Sequence, residues 1–419
     1  MSSDYPGYEQ AAAIVAQHAR SIFERRQPQR EQIALASAAG RILASPLRAD
    51  EDQPPFPRST RDGYACRASE ASAHLALPVA GTTHAGEAPA GPLPHQSAWE
   101  IMTGAPVPEG ADCVVMLEHI EKFGTAIKLA SSRAIAPGEN IVARGAQSRR
   151  GDQILEPGVS IGPAQIALAA SCGYSTIEVF ARPRVAILTT GDELVSIDAT
   201  PGPGKIRNSN APMLATLVAK YGAEPIVLPT AADTMEALDS ALEQAAQADM
   251  LLISGGVSAG NRDLVEPSLS RLGAQFHFTG VKIQPGKPLV FGEIPRRRGQ
   301  QSAQVFFGLP GNPISSAATF LLFAVPIIAS LAGSREVHPR FVLAQLARDT
   351  DRKAKPGLTR FLPALCTFNS SVNKLPLVET VPWQGSGDLT AFARSNCFLV
   401  IPEDASHLEN GSTVRILLH

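Results

Sequence analysis

The sequence predicts a multidomain protein in which a central doubly wound α/β domain is joined to β-rich and mixed domains. Three observations lead there. The chain has 419 residues, beyond the roughly 250–300 at which a single core stops growing. Residues 181–335 alternate strand-like apolar runs with helix-like amphipathic stretches, a pattern that folds as a sheet covered by helices on both faces. On either side, short apolar runs are split by Gly and Pro, of which the chain has 34 each; that texture belongs to short strands and turns.

The N-terminal helical and mixed domain is read as 1–48 plus 148–180, interrupted by a β-rich inserted lobe at 49–147. Over 8–26, Ala11, Ile14, Val15, His18 and Ile22 share one helical face, and Pro28 ends the pattern. A second helix is expected over about 30–42 and another over 163–171. The lobe holds the runs LPVAG, AWEIM, DCVVMLEHI, AIKLA and NIVARG.

In the α/β domain, RVAILTT (184–190) is a buried strand, and Asn210 opens a helix carrying Leu214, Leu217, Val218 and Tyr221 on one face. PIVLPT (225–230) follows, then Asp233 with Glu236 three residues on, a capping-box pattern. MLLIS (250–254) precedes a helix from about Asp263; strands at 275–283, 289–294 and 304–308 lead to a long helix at 313–332. The expected sheet is parallel. Residues 336–419 return to β texture and are read as a small C-terminal β-barrel-like domain.

Lys and Arg total 37 against 39 for Asp and Glu, a net charge of −2, which gives no reason to expect a nucleic-acid partner. Cys66, Cys113, Cys172, Cys366 and Cys397 form no C-x-x-C, and the nine histidines form no H-E-x-x-H, so neither a disulfide scaffold nor zinc chemistry gains support. The first residues lack an apolar signal core, and the longest apolar run, Phe320 to Ala332, is short for a membrane span and contains Pro326. A cytoplasmic protein with no membrane partner is expected.

Ligands of open α/β sheets bind beyond the carboxyl ends of the strands, and four unusual loops fall there. They are Thr189 to Glu193; Ser254-Gly255-Gly256 to Ser258 and Gly260, with Asp263 behind; Gln284 to Pro288; and Gly308 to Pro313. Glycines admit an anion close to backbone N–H groups, and a helix N-terminus adds partial positive charge. Ser254, Ser258 and Ser315 offer hydroxyls, and Lys287 offers a cation. Glu193, Asp233 and Asp263 would repel a phosphate unless Mg²⁺ bridged them. The combination predicts a phosphorylated ligand with a divalent metal. Each feature has a plainer reading: Gly-Gly as a tight turn, Asp233 as a helix cap, Asn312-Pro313 as an N-cap and first-turn pair, Lys287 as a solvated lysine.

Seven stretches, in order, make the sequence recognisable. They are Ser59 to Ala65, Met102 to Pro108, Thr190 to Leu194, Ser254 to Ser258, Pro285 to Pro288, Leu309 to Pro313 and Gln384 to Gly387. Together they resemble the molybdopterin molybdenumtransferase family, known as MoeA in bacteria and as the gephyrin E-domain in animals. The resemblance implies an elongated homodimer of four-domain chains and a MogA-like central domain. It implies adenylylated molybdopterin and molybdate as substrates, AMP and molybdenum cofactor as products, and Mg²⁺ as cofactor. It places Asp62 at the site from the other protomer, and Glu193, Asp233 and Asp263 as catalytic and metal-binding carboxylates. The implied substrate contacts are Thr103, Asn208, Ser254, Gly255, Gly256, Ser258, Gly260, Lys282, Lys287, Pro288, Pro310, Gly311, Asn312, Ser315, Arg360 and Ser386. A molybdopterin adenylyltransferase and an apo-molybdoenzyme are the implied protein partners.

Three departures stand out. The family's Gly-Glu-Asp is Gly145-Ala146-Gln147, its Lys-Pro-Gly-Lys is Gln284-Pro285-Gly286-Lys287 with Lys282 nearby, and its Tyr-Asp-Ser-Asn is Arg207-Asn208-Ser209-Asn210. Two other functions stay open at this point. One is the adenylyltransferase, whose single domain resembles 181–335; the other is a non-catalytic cofactor carrier or scaffold.

Overall fold

A computed structural model describes residues 5–25, 28–130, 133–256, 264–295, 303–336, 339–350, 357–368 and 374–419. Helix α1 (Tyr8–Arg25) buries Tyr8, Ala11, Val15 and Ala19, one stripe at helical spacing. That stripe packs into the core of the α/β domain, against Phe278, Phe291 and Phe323, so the first helix braces a sheet far along the chain.

The helix expected over 30–42 is instead a strand, Arg30–Ala34, followed by a short 3₁₀ turn, Leu35–Ser37. Arg30 to Ala34 pair antiparallel with Phe180 to Thr176, and Ile33 faces Ile177. A partner strand more than 140 residues away thus decides a segment whose own periodicity favoured a helix. The inserted lobe is a six-stranded sheet in which Gly63–Cys66 lies between Cys113–Met116 and Ala98–Ile101.

The central domain contains β1 (Arg184–Thr189), α2 (Asn210–Lys220), β2 (Glu224–Val227), α3 (Met235–Ala245), β3 (Met250–Ser254) and α4 (Val265–Arg271). It continues with β4 (Gln275–Phe278), β5 (Val290–Ile294), β6 (Gln304–Leu309) and the helical segment α5 (Pro313–Leu331), whose middle turn, Phe320–Ala324, is π-helical. The sheet order is β2-β1-β3-β6-β5-β4. One core packs α1, α2 and α5 on one face, and a second packs α3 and α4 on the other.

The sheet is mixed rather than wholly parallel: β2, β1, β3 and β6 run together, whereas β5 and β4 pair antiparallel. The reason is chain length. From Ile294 to Gln304 the chain has too few residues for the crossover a parallel pair needs, about a dozen or more.

The α5 segment also corrects a length argument. Its 19 residues have mean hydropathy 2.1, enough by length and composition to cross a membrane, but its apolar window is 94% buried inside the protein. It is the central core helix.

The C-terminal domain closes a five-stranded barrel through Thr359–Thr367, Leu377–Thr380, Phe341–Leu346, Thr413–Leu418 and Cys397–Ile401. Ile283–Gln284, at the start of the turn before β5, adds to its outside by pairing with Thr359–Arg360. The barrel therefore grips one loop of the α/β domain directly.

Candidate functional site

Thr189, Ser254 and Leu309 are consecutive partners across β1, β3 and β6, so three parallel strands end in one row. Val290 pairs with Gly308, which brings the 284–288 turn to the same edge through the antiparallel β5. Adjacent strands are about 4.8 Å apart, so four loops spread along more than 100 residues of chain open within reach of one small ligand. This is where an α/β sheet receives its ligand.

The acidic side of the edge is built from the first two loops. Thr190 Oγ1 donates to Asp233 Oδ1 at 2.6 Å, and Asp233 N donates to Asp192 Oδ1 at 3.1 Å. Asp192 N lies 3.4 Å from Asp233 Oδ2, a weak return contact. Two carboxylates are held together by donors from each other's backbone, which offsets their repulsion. Asp233 is not the cap of α3. Thr234 is, its Oγ1 accepting from Ala237 N at 3.2 Å. Asp233 turns away to the strand edge. Glu193 folds its carboxylate back over Gly191, both oxygens lying 2.6 Å from where a Cβ on that glycine would stand.

The opposite side is built by asparagines. Buried Asn210 donates from Nδ2 to Ser254 Oγ (2.8 Å) and to the Gly311 carbonyl (2.7 Å), tying the third loop to the fourth. Two such bonds contribute about 1 kcal/mol each. Buried Asn208 donates to Thr189 Oγ1 (2.8 Å) and Thr230 Oγ1 (3.1 Å), and accepts from Ala211 N (3.1 Å), which caps α2. Its polar atoms are thus engaged by protein. Gly255 has φ +96° and lies against the Thr190 carbonyl; a Cβ on Gly311 would touch Gly255 Cα at 3.7 Å. Small residues here let two loops meet backbone to backbone. Gly256 continues the turn with φ +62°.

Pro310, Gly311 and Asn312 lead into α5, and Ser315 is buried in its first turn. The barrel reaches in at this point. Asn312 Nδ2 donates to Ser386 Oγ (2.9 Å), and Ile314 N donates to the Ser386 carbonyl (3.0 Å). Asp388 holds the 384–387 loop in shape by accepting from Gln384 N and Ala391 N, and these amide donors keep its carboxyl below the usual range.

Of the expected cations, Lys287 stands over the Tyr5 ring, 5.7 Å from its centroid. Lys282 joins its backbone to Pro6 and Thr359, and Pro288 follows Lys287 in the same turn. Arg360, whose backbone pairs beside Gln284, donates from Nη2 to the Ala405 and Ser406 carbonyls in the loop after Cys397–Ile401, at 3.0 and 2.9 Å. Asp62 and Thr103 face each other in the inserted lobe, where Asp62 Oδ1 accepts from Thr103 N (2.6 Å) and Thr103 Oγ1 (2.7 Å). Those two donors hold the exposed Asp62 carboxyl below its ordinary pKa. Ser258, Gly260 and Asp263 lie outside the described residues.

With this geometry in place, comparison with known proteins is decisive. Residues 7–173 match the MoeA N-terminal region (domain I and II), 186–330 a probable molybdopterin binding domain, and 345–419 the MoeA C-terminal region (domain IV). Proteins named molybdopterin molybdenumtransferase from Haemophilus influenzae and Bacillus subtilis are each 34% identical, over 93% and 94% of this chain and 93% and 90% of theirs. The chain belongs to the molybdopterin molybdenumtransferase (MoeA) family. A MoeA crystal structure from Pyrococcus horikoshii covers 99% of this chain and 99% of its own at 30% identity, with a TM-score of 0.71. A second from the same organism, at 28% identity over 99% of this chain and all of its own, has a TM-score of 0.78.

For a MoeA-family chain, two residues of the edge escaped sequence reasoning. The sequence presents Asp192 only as one residue of the Thr189–Glu193 loop, and Asn210 only as a helix start and the end of the Arg207–Asn210 segment. The signal for Asn210 was available: a polar residue opening a helix whose other face is apolar. Its bond to Gly311, 101 residues away, was not. In the lobe, Asp52 stands beside Gly145 and accepts from Arg144 Nε (2.7 Å) and Arg150 N (3.0 Å), so the Gly145-Ala146-Gln147 loop does have a carboxylate neighbour.

The edge suits Mg²⁺ by donor type. Asp192, Asp233 and Glu193 offer hard oxygens in one exposed to half-buried corner, and Mg²⁺ commonly takes one or two carboxylates and keeps several waters. Among the described residues, however, the closest-set metal-competent trio is His18, His277 and Glu293, not these acids. A cavity of about 560 Å³ lined by Gly7, Tyr8, Thr359, Val400 and Arg415 lies between α1 and the barrel, away from the strand ends.

Proposed function

We propose that this MoeA-family chain is a molybdenum insertase, placing molybdate into the dithiolene of adenylylated molybdopterin and releasing AMP. The observation that carries the reading is the single row of strand ends at Thr189, Ser254 and Leu309, with acids at one end and the Asn210–Gly311–Ser386 frame at the other. The glycine loops admit a phosphate to the backbone, while Lys287 and Lys282 supply cations in the next turn. Molybdate is a tetrahedral dianion, which suits lysine and hydroxyl donors.

Release of AMP breaks one phosphoanhydride bond, with water supplying the oxygen. That step needs developing charge to be neutralised more than it needs a covalent nucleophile. When bound, Mg²⁺ would supply that neutralisation, held by Glu193, Asp233 and Asp263, with Asp192 orienting Asp233 by the bond at 3.1 Å. Thr190 fixes the Asp233 carboxylate. Asn210 keeps the third and fourth loops at one spacing.

The working unit in this reading is a homodimer in which a partner's Asp62 loop faces the strand edge. Supporting it, Asp62 and Thr103 are exposed, preorganised and bonded within their own lobe. The adenylyltransferase alternative is disfavoured, because the barrel contributes Ser386 to the frame. The cytoplasm, with an adenylyltransferase upstream and an apo-molybdoenzyme downstream, is the proposed setting.

The test is molybdate-dependent AMP release from adenylylated molybdopterin across a Mg²⁺ titration, with wild type and Asp263→Asn. Asn caps a helix about as well as Asp, so a capping role tolerates the change, whereas a metal ligand does not. The expected result is near-complete loss of AMP release with an unchanged melting temperature. Near-normal activity of the variant at low Mg²⁺ refutes the metal role, and no AMP release by wild type refutes the insertase.

A further inference from the structure

At the far side of the α/β domain from the strand-end cradle, α1 crosses the edge strand β4 and its neighbour β5. His18 Nδ1 lies 3.2 Å from Glu293 Oε1, and the His18 and His277 rings sit 3.9 Å apart, tilted by 39°. One ligand atom from each of His18, His277 and Glu293 lies within 4.8 Å of the others. All three are half-buried. His277 Nε2 is shielded from solvent and has no hydrogen-bond partner among the described residues.

The backbone explains how these side chains meet. Gln275 pairs with Glu293 and Phe276 with Gly292, but Phe278 pairs with Phe291, so the register slips at His277. A bulge of this kind adds one residue and re-aims a side chain. Here both His277 and Phe278 reach Phe291, at ring separations of 5.0 and 5.5 Å. Phe291 also floors His18 at 5.3 Å, edge-on. The trio therefore stands on an apolar base, with the carboxylate of Glu293 two residues along β5 on the same face.

We infer that His18, His277 and Glu293 form a second metal site, specific for a divalent ion of the zinc class. Two imidazoles and a carboxylate are a borderline nitrogen-rich set that suits Zn²⁺, Co²⁺ or Ni²⁺ and disfavours Mg²⁺, which prefers oxygen ligands in an octahedron. Ligand atoms each about 2.1 Å from a tetrahedral ion stand about 3.4 Å apart, close to the 3.2 Å between His18 and Glu293. Three protein ligands leave one position for water. The ion clips α1 to the sheet edge, joining residues 275 apart in sequence. Among the described residues, the buried His277 Nε2 has no other partner to satisfy it.

The experiment uses the full, untagged chain stripped of metal, with excess Mg²⁺ present throughout to fill oxygen sites. Co²⁺ is titrated while its visible ligand-field absorption is followed, then displaced with Zn²⁺. Wild type is expected to take up one equivalent, to give a visible band, and to melt at a temperature that rises with Zn²⁺. His277→Gln and Glu293→Gln should each bind at least roughly tenfold more weakly, with unchanged melting temperature when metal-free. Saturable binding of equal strength in wild type and both variants overturns the site, as does the absence of a visible band in wild type at neutral pH. AMP release is not the readout, so the outcome is independent of the insertase reading.

Discussion

Gly255→Ala should damage the strand-end cradle more than any other single methyl group we can name. Gly255 sits at φ +96°, and an added Cβ would stand 2.4 Å from the Thr190 carbonyl oxygen. Forcing an L-residue into that backbone region costs roughly 1–2 kcal/mol. Restoring an ordinary contact needs a shift of about 1 Å, and both atoms are fixed to backbone, so no rotamer change relieves it. Overpacking of this sort costs a further 1–3 kcal/mol or so. The total is about 2–5 kcal/mol, which for a domain of this size lowers Tm by roughly 4–20 °C. The movement also falls on function, because displacing Thr190 loosens the Asp233 carboxylate it holds at 2.6 Å. Gly202→Ala is the control: it lies in the same domain, and nothing stands within 4 Å of its added Cβ. Calorimetry and molybdate-dependent AMP release on both variants decide the matter. If Gly255→Ala melts and turns over like Gly202→Ala, the argument from close approach is wrong.

Three further outcomes follow from the same geometry. Gln147 carries no charge and is exposed, with its backbone N bonded to the Gln53 carbonyl, so Gln147→Ala should change turnover less than about tenfold; a hundredfold loss of AMP release would show that the side chain takes part. If Asp62 serves a partner's cradle, coexpressed Asp62→Ala and Gly255→Ala chains should regain AMP release that each homodimer lacks, and light scattering should find a dimer; a fully active monomer excludes it. Burial among Phe392 and Phe398, with Lys220 nearby, pushes His419 down from 6.5 to about 4. The folded state then binds fewer protons than the unfolded chain between those values, so stability is complete above pH 6.5 and falls toward pH 4, by about 3 kcal/mol. His419→Phe should flatten that slope in urea titrations across the window, and an unchanged slope would assign the acid loss to other groups.

The sequence by itself determined what local chemistry can carry. Periodicity placed α1, α2 and α5, because an amphipathic helix writes its buried face into its own spacing: Tyr8, Ala11, Val15 and Ala19 are one stripe whatever covers them. The glycine and proline loops announced a ligand edge, since their backbone needs are local, and their order along the chain announced the family. Tertiary structure alone decided what depends on distant partners. Arg30–Ala34 is a strand because Thr176–Phe180 pairs with it. β5 runs against the rest of the sheet because its connections to β4 and β6 are too short to cross over. Asp233 turns to the strand edge rather than capping α3 because Thr190, 43 residues earlier, donates to it. The Arg360 guanidinium is held by two loop carbonyls some 45 residues further on. The pattern of the histidines in the sequence spoke against zinc chemistry, and His18 and His277 meet only because α1 lies across a bulged edge strand. Spacing records which face a residue occupies, but not which other face will be folded against it.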